Sequence, residues 1–119
     1  LLDTMEVKEC AQLVKRAFHL EQVRVFGDLN ARITKAASCP GSGKSVIGKA
    51  LESGAQVLIT GDIDHHEGID AAALGMAVID AGHYGIEKIF IPYMKQYLEK
   101  NTEGLTILEQ PEKQPFVYL

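Results

Sequence analysis

Val7, Cys10, Ala11, Val14 and Phe18 recur at helical spacing over residues 6–18, behind Asp3 or Thr4 as a possible N-cap, and predict a short amphipathic helix. Val23–Phe26 is a β-prone run ending at Gly27-Asp28. Ile33–Ser38 is a second, closed by Pro40-Gly41-Ser42-Gly43. Val46, Ile47, Ala50 and Leu51 return to the helical period until Gly54 stops the helix. Val57-Leu58-Ile59 is a continuous apolar strand, the pattern of a strand whose two sheet faces are both covered by helices. Ile69, Ala72, Ala73 and Leu74 mark a helix over 67–75, and Met76–Ile79 is the next strand. From His83 to Lys100 a longer helix is predicted, with Ile86, Ile89, Phe90, Tyr93, Met94 and Tyr97 on one side and Pro92 to kink or divide it. Leu105–Leu108 and Phe116–Leu119 read as closing strands.

Strands alternating with helices predict an α/β fold, a mostly parallel or mixed sheet flanked by helices in a single domain. No Pro-, Ser- or charge-rich linker, repeat or low-complexity segment divides the chain. Three loops follow strand C-termini, where open α/β sheets place their ligands: Cys39–Lys44, Gly61–Glu67 and Ala81–Tyr84.

The 119 residues, 46% of them hydrophobic, are enough for one packed core. Twelve basic against sixteen acidic residues give a formal net charge of −4, with no Lys/Arg stripe to track a phosphate backbone, which argues against nucleic-acid binding. No apolar run approaches the ~20 residues of a membrane span, so no membrane association is expected and the expected location is cytoplasmic. Cys10 and Cys39 lie in different predicted elements without CxxC spacing, and both are expected to be reduced thiols.

His83 and Glu87 stand four residues apart at the start of a predicted helix, so an imidazole and a carboxylate share one face and can approach a common ion such as zinc, manganese or ferrous iron. By itself that spacing is weak, and an internal helix hydrogen bond explains a lone pair more often. The second loop strengthens it. Asp62, Asp64, His65, His66 and Glu67 put five donor groups into six positions; the plainer account is a solvated turn in which Asp62 or Asp64 caps the next helix. Asp64-His65-His66 alone is too short to assign a DHH phosphoesterase. Gly41-Ser42-Gly43-Lys44-Ser45 shares the end of the phosphate-loop pattern, but its first glycine would fall at Ser38 and Pro40 removes an N–H donor. His19, ending the first helix, is expected to be a surface or C-terminal-turn histidine interacting with the helix dipole.

Taken together, Ile59-Thr60-Gly61-Asp62 with His66 four residues on, Ile79-Asp80-Ala81-Gly82-His83-Tyr84 closed by Glu87, Ser42-Gly43, and Phe116 resemble the C-terminal half of the Nif-three-like family, the GTP cyclohydrolase 1 type two homologues. The resemblance implies that His83 and Glu87 ligate a centre of two divalent ions (zinc, iron or manganese). It implies that Asp62 and His66 line the pocket as catalytic groups, and that the remaining ligands come from an N-terminal half absent here. It further implies a metal-dependent hydrolase, GTP cyclohydrolase-like, acting on a nucleotide or another phosphate-containing small molecule, in a homohexamer. The alternative is a non-catalytic metal-binding or protein-interaction module. Residues 1–119, which begin Leu1-Leu2-Asp3 without an initiator Met, are then expected to be an excised C-terminal domain. The family usually carries Thr where Ile86 stands, a hydroxyl lost beside the site with both ligand positions kept.

Overall fold

In the computed structural model, residues 4–111 and 113–119 are described. Four strands form the main sheet: β2 (Arg24–Phe26), β4 (Ala36–Ser42), β5 (Val57–Gly61) and β6 (Ala77–Asp80). Their order is β2-β6-β5-β4, with β4, β5 and β6 parallel and β2 antiparallel to β6. A small antiparallel pair, β1 (Met5–Glu6) with β3 (Arg32–Ile33), stands apart. The fold is the expected α/β arrangement with a mixed sheet.

The uninterrupted apolar runs of β5 and β6 exist because both sheet faces are buried. Val57 and Ile79 pack with Val7, Cys10, Ala11 and Val14 of α1 (Val7–Ala17) and with Ile86. Leu58 and Val78 pack on the other face with Ala50 of α2 (Ile47–Glu52) and Ala71 of α3 (His65–Ala73). Successive residues thus serve opposite cores, the two-residue period of a strand applied twice.

Several boundaries differ from the sequence expectation, each for a local reason. Glu6, not Thr4, caps α1, in a capping box with Glu9; Asp3, the other expected cap, lies outside the described residues. The run expected as one strand over Ile33–Ser38 is divided between β3 and β4, and β4 continues through Pro40 to Ser42. Pro40 is tolerated because β4 is an edge strand whose register to β5 shifts between Ser38 and Ser42, an irregularity in which a missing N–H breaks no regular ladder. Helix α3 starts at His65, two residues early, because Asp64 and Glu67 close a capping box around its first turn. The long helix is divided into α4 (His83–Glu87) and α5 (Phe90–Asn101), and Pro92 sits in the first turn of α5, where backbone N–H groups lack intrahelical acceptors in any case.

One expectation fails outright. The segments 105–108 and 116–119 are not strands: they form no ladder, and Leu108, Val117 and Tyr118 are exposed. Apolar residues alone do not make a strand: neither segment pairs with β2 or β4, the edge strands of the sheet. The apolar side expected along the long helix is buried only at Ile86, and α5 buries none of its residues, leaving Phe90, Tyr93 and Tyr97 exposed. The same burial places Ile86 in the core.

Candidate metal-binding site

The C-terminal ends of β4, β5 and β6 meet at one edge of the sheet, and the three expected loops emerge there. Asp62 follows β5 directly; Gly82 and His83 follow Asp80, the last residue of β6. Asp62 has a left-handed backbone, φ 58°, which Asp tolerates better than most non-glycine residues. His83 is the first residue of α4, so Glu87 returns one turn later on the same face.

The side chains meet around the imidazole. Nε2 of His83 lies 3.3 Å from Oε2 of Glu87, and Nδ1 lies 3.7 Å from Oδ2 of Asp62. Each ring nitrogen therefore faces a carboxylate, and all three side chains keep about half or more of their surface open to solvent. The end of β4 closes one wall: a Cβ on Gly41 would fall 2.8 Å from Oε1 of Glu87 and 3.6 Å from Cε1 of His83. Beside Glu87 runs a trough of about 750 Å³ walled by Pro40, Tyr84, Ile86, Ile89, Phe90 and Tyr93.

His66 does not join this group through any ion pair or hydrogen bond among the described residues. It stands exposed in the first turn of α3, edge-on to His65 with ring centroids 5.4 Å apart. Asp64 and Glu67 are committed to capping. Of the five donor groups in the second loop, only Asp62 reaches His83. Among the described residues no three His, Cys, Asp or Glu side chains converge as a complete metal-holding group. An imidazole and a carboxylate on one helix face are donor types that suit a divalent metal ion, and His83 and Glu87 are the two such groups here that share a helix face.

The glycine loop is not a phosphate-loop turn. Gly43–Val46 is a 3-10 turn rather than the start of an α-helix, and Gly43 packs so closely on buried Thr60 that a Cβ there would lie 2.2 Å from its Oγ1. Ser42 Oγ donates to the carbonyl oxygen of Asp62 at 3.3 Å, tying the end of β4 to the second loop.

Asp80 organises the site and was not singled out from the sequence. Its carboxylate is 4% exposed and accepts four hydrogen bonds: from the N–H groups of Asp62 (2.9 Å), Ile63 (3.0 Å) and Gly82 (2.8 Å), and from Nη2 of Arg24 (2.5 Å). Burial by itself pushes the group up, but the Arg24 hydrogen bond, the N–H donors of Gly82 and Ile63 and the Arg24 charge together hold it below its ordinary carboxylate range. The available signal was an acidic residue ending an apolar strand, a costly place for a charge without partners. Burial acts alone on Cys10 and pushes its thiol up; Cys39 is half-buried, and both are free. His19 is exposed just beyond α1, as expected, and its carbonyl accepts from Nζ of Lys88 at 3.1 Å.

Residues 1–115 match the family model DUF34/NIF3 (NGG1p interacting factor 3). Over 100 residues the chain is 39% identical to a Halalkalibacterium halodurans protein named GTP cyclohydrolase 1 type 2 homolog, covering 84% of this chain and 27% of that protein. A protein of the same name from Streptococcus pneumoniae is 38% identical over 120 residues, covering 93% of this chain and 45% of its own length. The crystal structure of a Staphylococcus aureus protein superposes with a TM-score of 0.87 at 31% identity, over all of this chain and 40% of that one. The chain thus spans about a quarter to under half the length of the curated relatives it matches. No helix among the described residues is long and apolar enough to cross a membrane.

Proposed function

Since the chain belongs to the DUF34/NIF3 family, we propose that it is the C-terminal half of a metal-dependent hydrolase and contributes His83 and Glu87 as ligands to a site for two divalent ions, zinc, iron or manganese. The observation that carries this reading is the imidazole of His83 set between Glu87 on Nε2 and Asp62 on Nδ1, at the strand ends where α/β folds hold ligands. A carboxylate facing the second nitrogen of a ligating histidine fixes the ring's orientation and raises its basicity, which is the role assigned to Asp62. Bound divalent ions supply Lewis acidity and lower the pKa of water to about 7. Asp62, exposed beside the ring, is assigned to accept or return a proton; His66, in the first turn of α3, is assigned to substrate contact and proton transfer from farther out. The remaining ligands come from outside this chain.

The substrate class is a nucleotide or another phosphate-containing small molecule, in keeping with the names of the relatives. The apolar trough beside Glu87 has the size and character of a small-molecule pocket and gives the non-reacting part of such a substrate a place to bind. One observation favours a second reading, a non-catalytic metal-binding or protein-interaction module: Phe90, Tyr93 and Tyr97 are exposed on a helix that buries none of its residues. Within the first reading Phe90 and Tyr93 wall the substrate trough, and assembly of the homohexamer is assigned to surfaces outside it.

The test is metal content by inductively coupled plasma mass spectrometry on anaerobically purified chain and on His83→Ala and Glu87→Gln. Metal retained by the parent chain and lost from His83→Ala supports the assignment, and in the intact longer protein Glu87→Gln weakens retention about 10- to 100-fold. Metal bound at equal content in all three, or metal content of the intact longer protein unchanged by Glu87→Gln, overturns it. Metal-dependent turnover on a panel of nucleotides and phosphoesters separates the hydrolase from the binding module.

A further inference from the structure

Asp80 joins three separate segments through one buried carboxylate. Oδ1 takes the N–H groups of Asp62 and Gly82; Oδ2 takes the N–H of Ile63 and Nη2 of Arg24, which also donates to the carbonyl oxygen of Ile63 at 2.6 Å. Arg24 comes from β2 and is the Cα partner of Asp80 across the β2–β6 pair. The loop after β5, the loop after β6 and the antiparallel edge strand are therefore anchored to the same two oxygens.

We propose that Asp80 is a positioning residue for the His83 site, its carboxylate holding the Asp62 and Gly82–His83 backbones so that Asp62 stays opposite Nδ1 of His83 while Glu87 stays opposite Nε2. The inference rests on the proposed metal-binding reading and adds to it a residue that touches neither ion nor substrate. Both ends of the arrangement depend on Asp80. Asp62 has its left-handed backbone with its N–H on Oδ1, and Gly82, at φ 79°, is the residue that turns the chain into α4. A second brace, Ala81 N–H to the carbonyl of Thr60 at 2.8 Å, ties the two strand ends but reaches neither Asp62 nor His83.

Replacement by Asn tests the charge and the acceptor count together. Four donors converge on Asp80, and an amide at the same place offers one acceptor oxygen and an NH2 that confronts the remaining donors, so at least one side of the brace is lost with little change in side-chain volume. Arg24→Gln removes the cation and leaves the three N–H donors, and its effect is smaller. Met76→Ala serves as the control for general destabilisation: Met76 is fully buried just before β6, at the opposite end of that strand from Asp80.

The experiment measures Zn²⁺ affinity by competition with a chelator, and amide hydrogen exchange, on the whole chain and these variants. Expected are a 10- to 100-fold loss of Zn²⁺ affinity in Asp80→Asn, about the size seen when a supporting partner of a metal ligand is removed, and no such loss in Met76→Ala. Exchange at the Asp62, Ile63 and Gly82 amides accelerates at least tenfold while Leu58 and Val78 keep their protection. Affinity and loop exchange unchanged in Asp80→Asn overturn the proposal, as does a loss matched by Met76→Ala. If the parent chain and His83→Ala bind Zn²⁺ equally poorly, the metal reading fails for this chain, and exchange alone then decides: selective opening of the three amides upholds the positioning role, and uniform or absent opening ends it.

Discussion

Gly61 and Gly82 meet backbone to backbone: a Cβ on Gly61 would fall 2.4 Å from the carbonyl oxygen of Gly82 and 2.9 Å from the His83 nitrogen. The loop after β5 and the loop after β6 thus pass each other with no room for a side chain, and the interval between Asp62 and His83 is set partly by that contact. Gly61→Ala forces the two backbones apart and is expected to cost about 1–3 kcal/mol, the usual penalty of overpacking a close-packed site. Urea denaturation of the variant reads this directly. A change under about 0.5 kcal/mol, the range of an indifferent surface substitution, shows that the loops can separate freely.

Acid should weaken the protein through Asp80. Its carboxyl sits below its unfolded value, so it contributes stability that is fully present above the unfolded pKa, about 3.9, and is lost as pH falls toward the folded value. Stability measured by urea titration at a series of pH values is expected to be insensitive to this group above pH ~5 and to fall below pH ~4. Asp80→Asn, less stable at neutral pH, should lack that part of the acid slope. An identical slope in both proteins assigns the acid transition to other carboxylates.

The two thiols should differ in reactivity. Cys10 is 1% exposed within the α1 core and its thiol is pushed up by burial, whereas Cys39 is half-buried on the edge strand. Titration with a thiol reagent in native buffer is expected to modify Cys39 quickly and Cys10 only at the rate of unfolding, with both reacting at once in denaturant. Fast modification of Cys10 in the native protein means that α1 lifts from the sheet.

Much of this architecture is legible along the chain because it rests on local patterns. The apolar runs of β5 and β6 announce a sheet covered on both faces, and the four-residue interval from His83 to Glu87 is enough to put both on one face of α4. Asp62 was legible by type and place. Asp80 was not: its meaning lies in Arg24, 56 positions away, and in three N–H groups whose directions exist only after the loops are folded. The five donors of Asp62–Glu67 read alike in sequence, yet Asp64 and Glu67 are committed to the capping box of α3. The tail after α5 misled for the opposite reason, since Leu105–Leu108 and Phe116–Leu119 carry the composition of strands yet pair with neither edge strand of the sheet.

Asp62 combines an uncommon backbone with the side chain that faces His83, and the two can be separated by mutation. At φ 58° a residue with a Cβ bears a steric cost that glycine does not, and the N–H bond to Asp80 survives in either case. Asp62→Gly is therefore expected to leave stability unchanged or raise it by up to about 1 kcal/mol, while Asp62→Val, β-branched at the same φ, lowers it by about 1–3 kcal/mol. Both remove the carboxylate opposite Nδ1, so both should weaken Zn²⁺ retention to a similar degree despite opposite effects on folding. Thermal unfolding together with Zn²⁺ competition on the pair checks this. Equal stability in the two variants means that this backbone stores no strain, and undiminished Zn²⁺ retention in both removes Asp62 from the site.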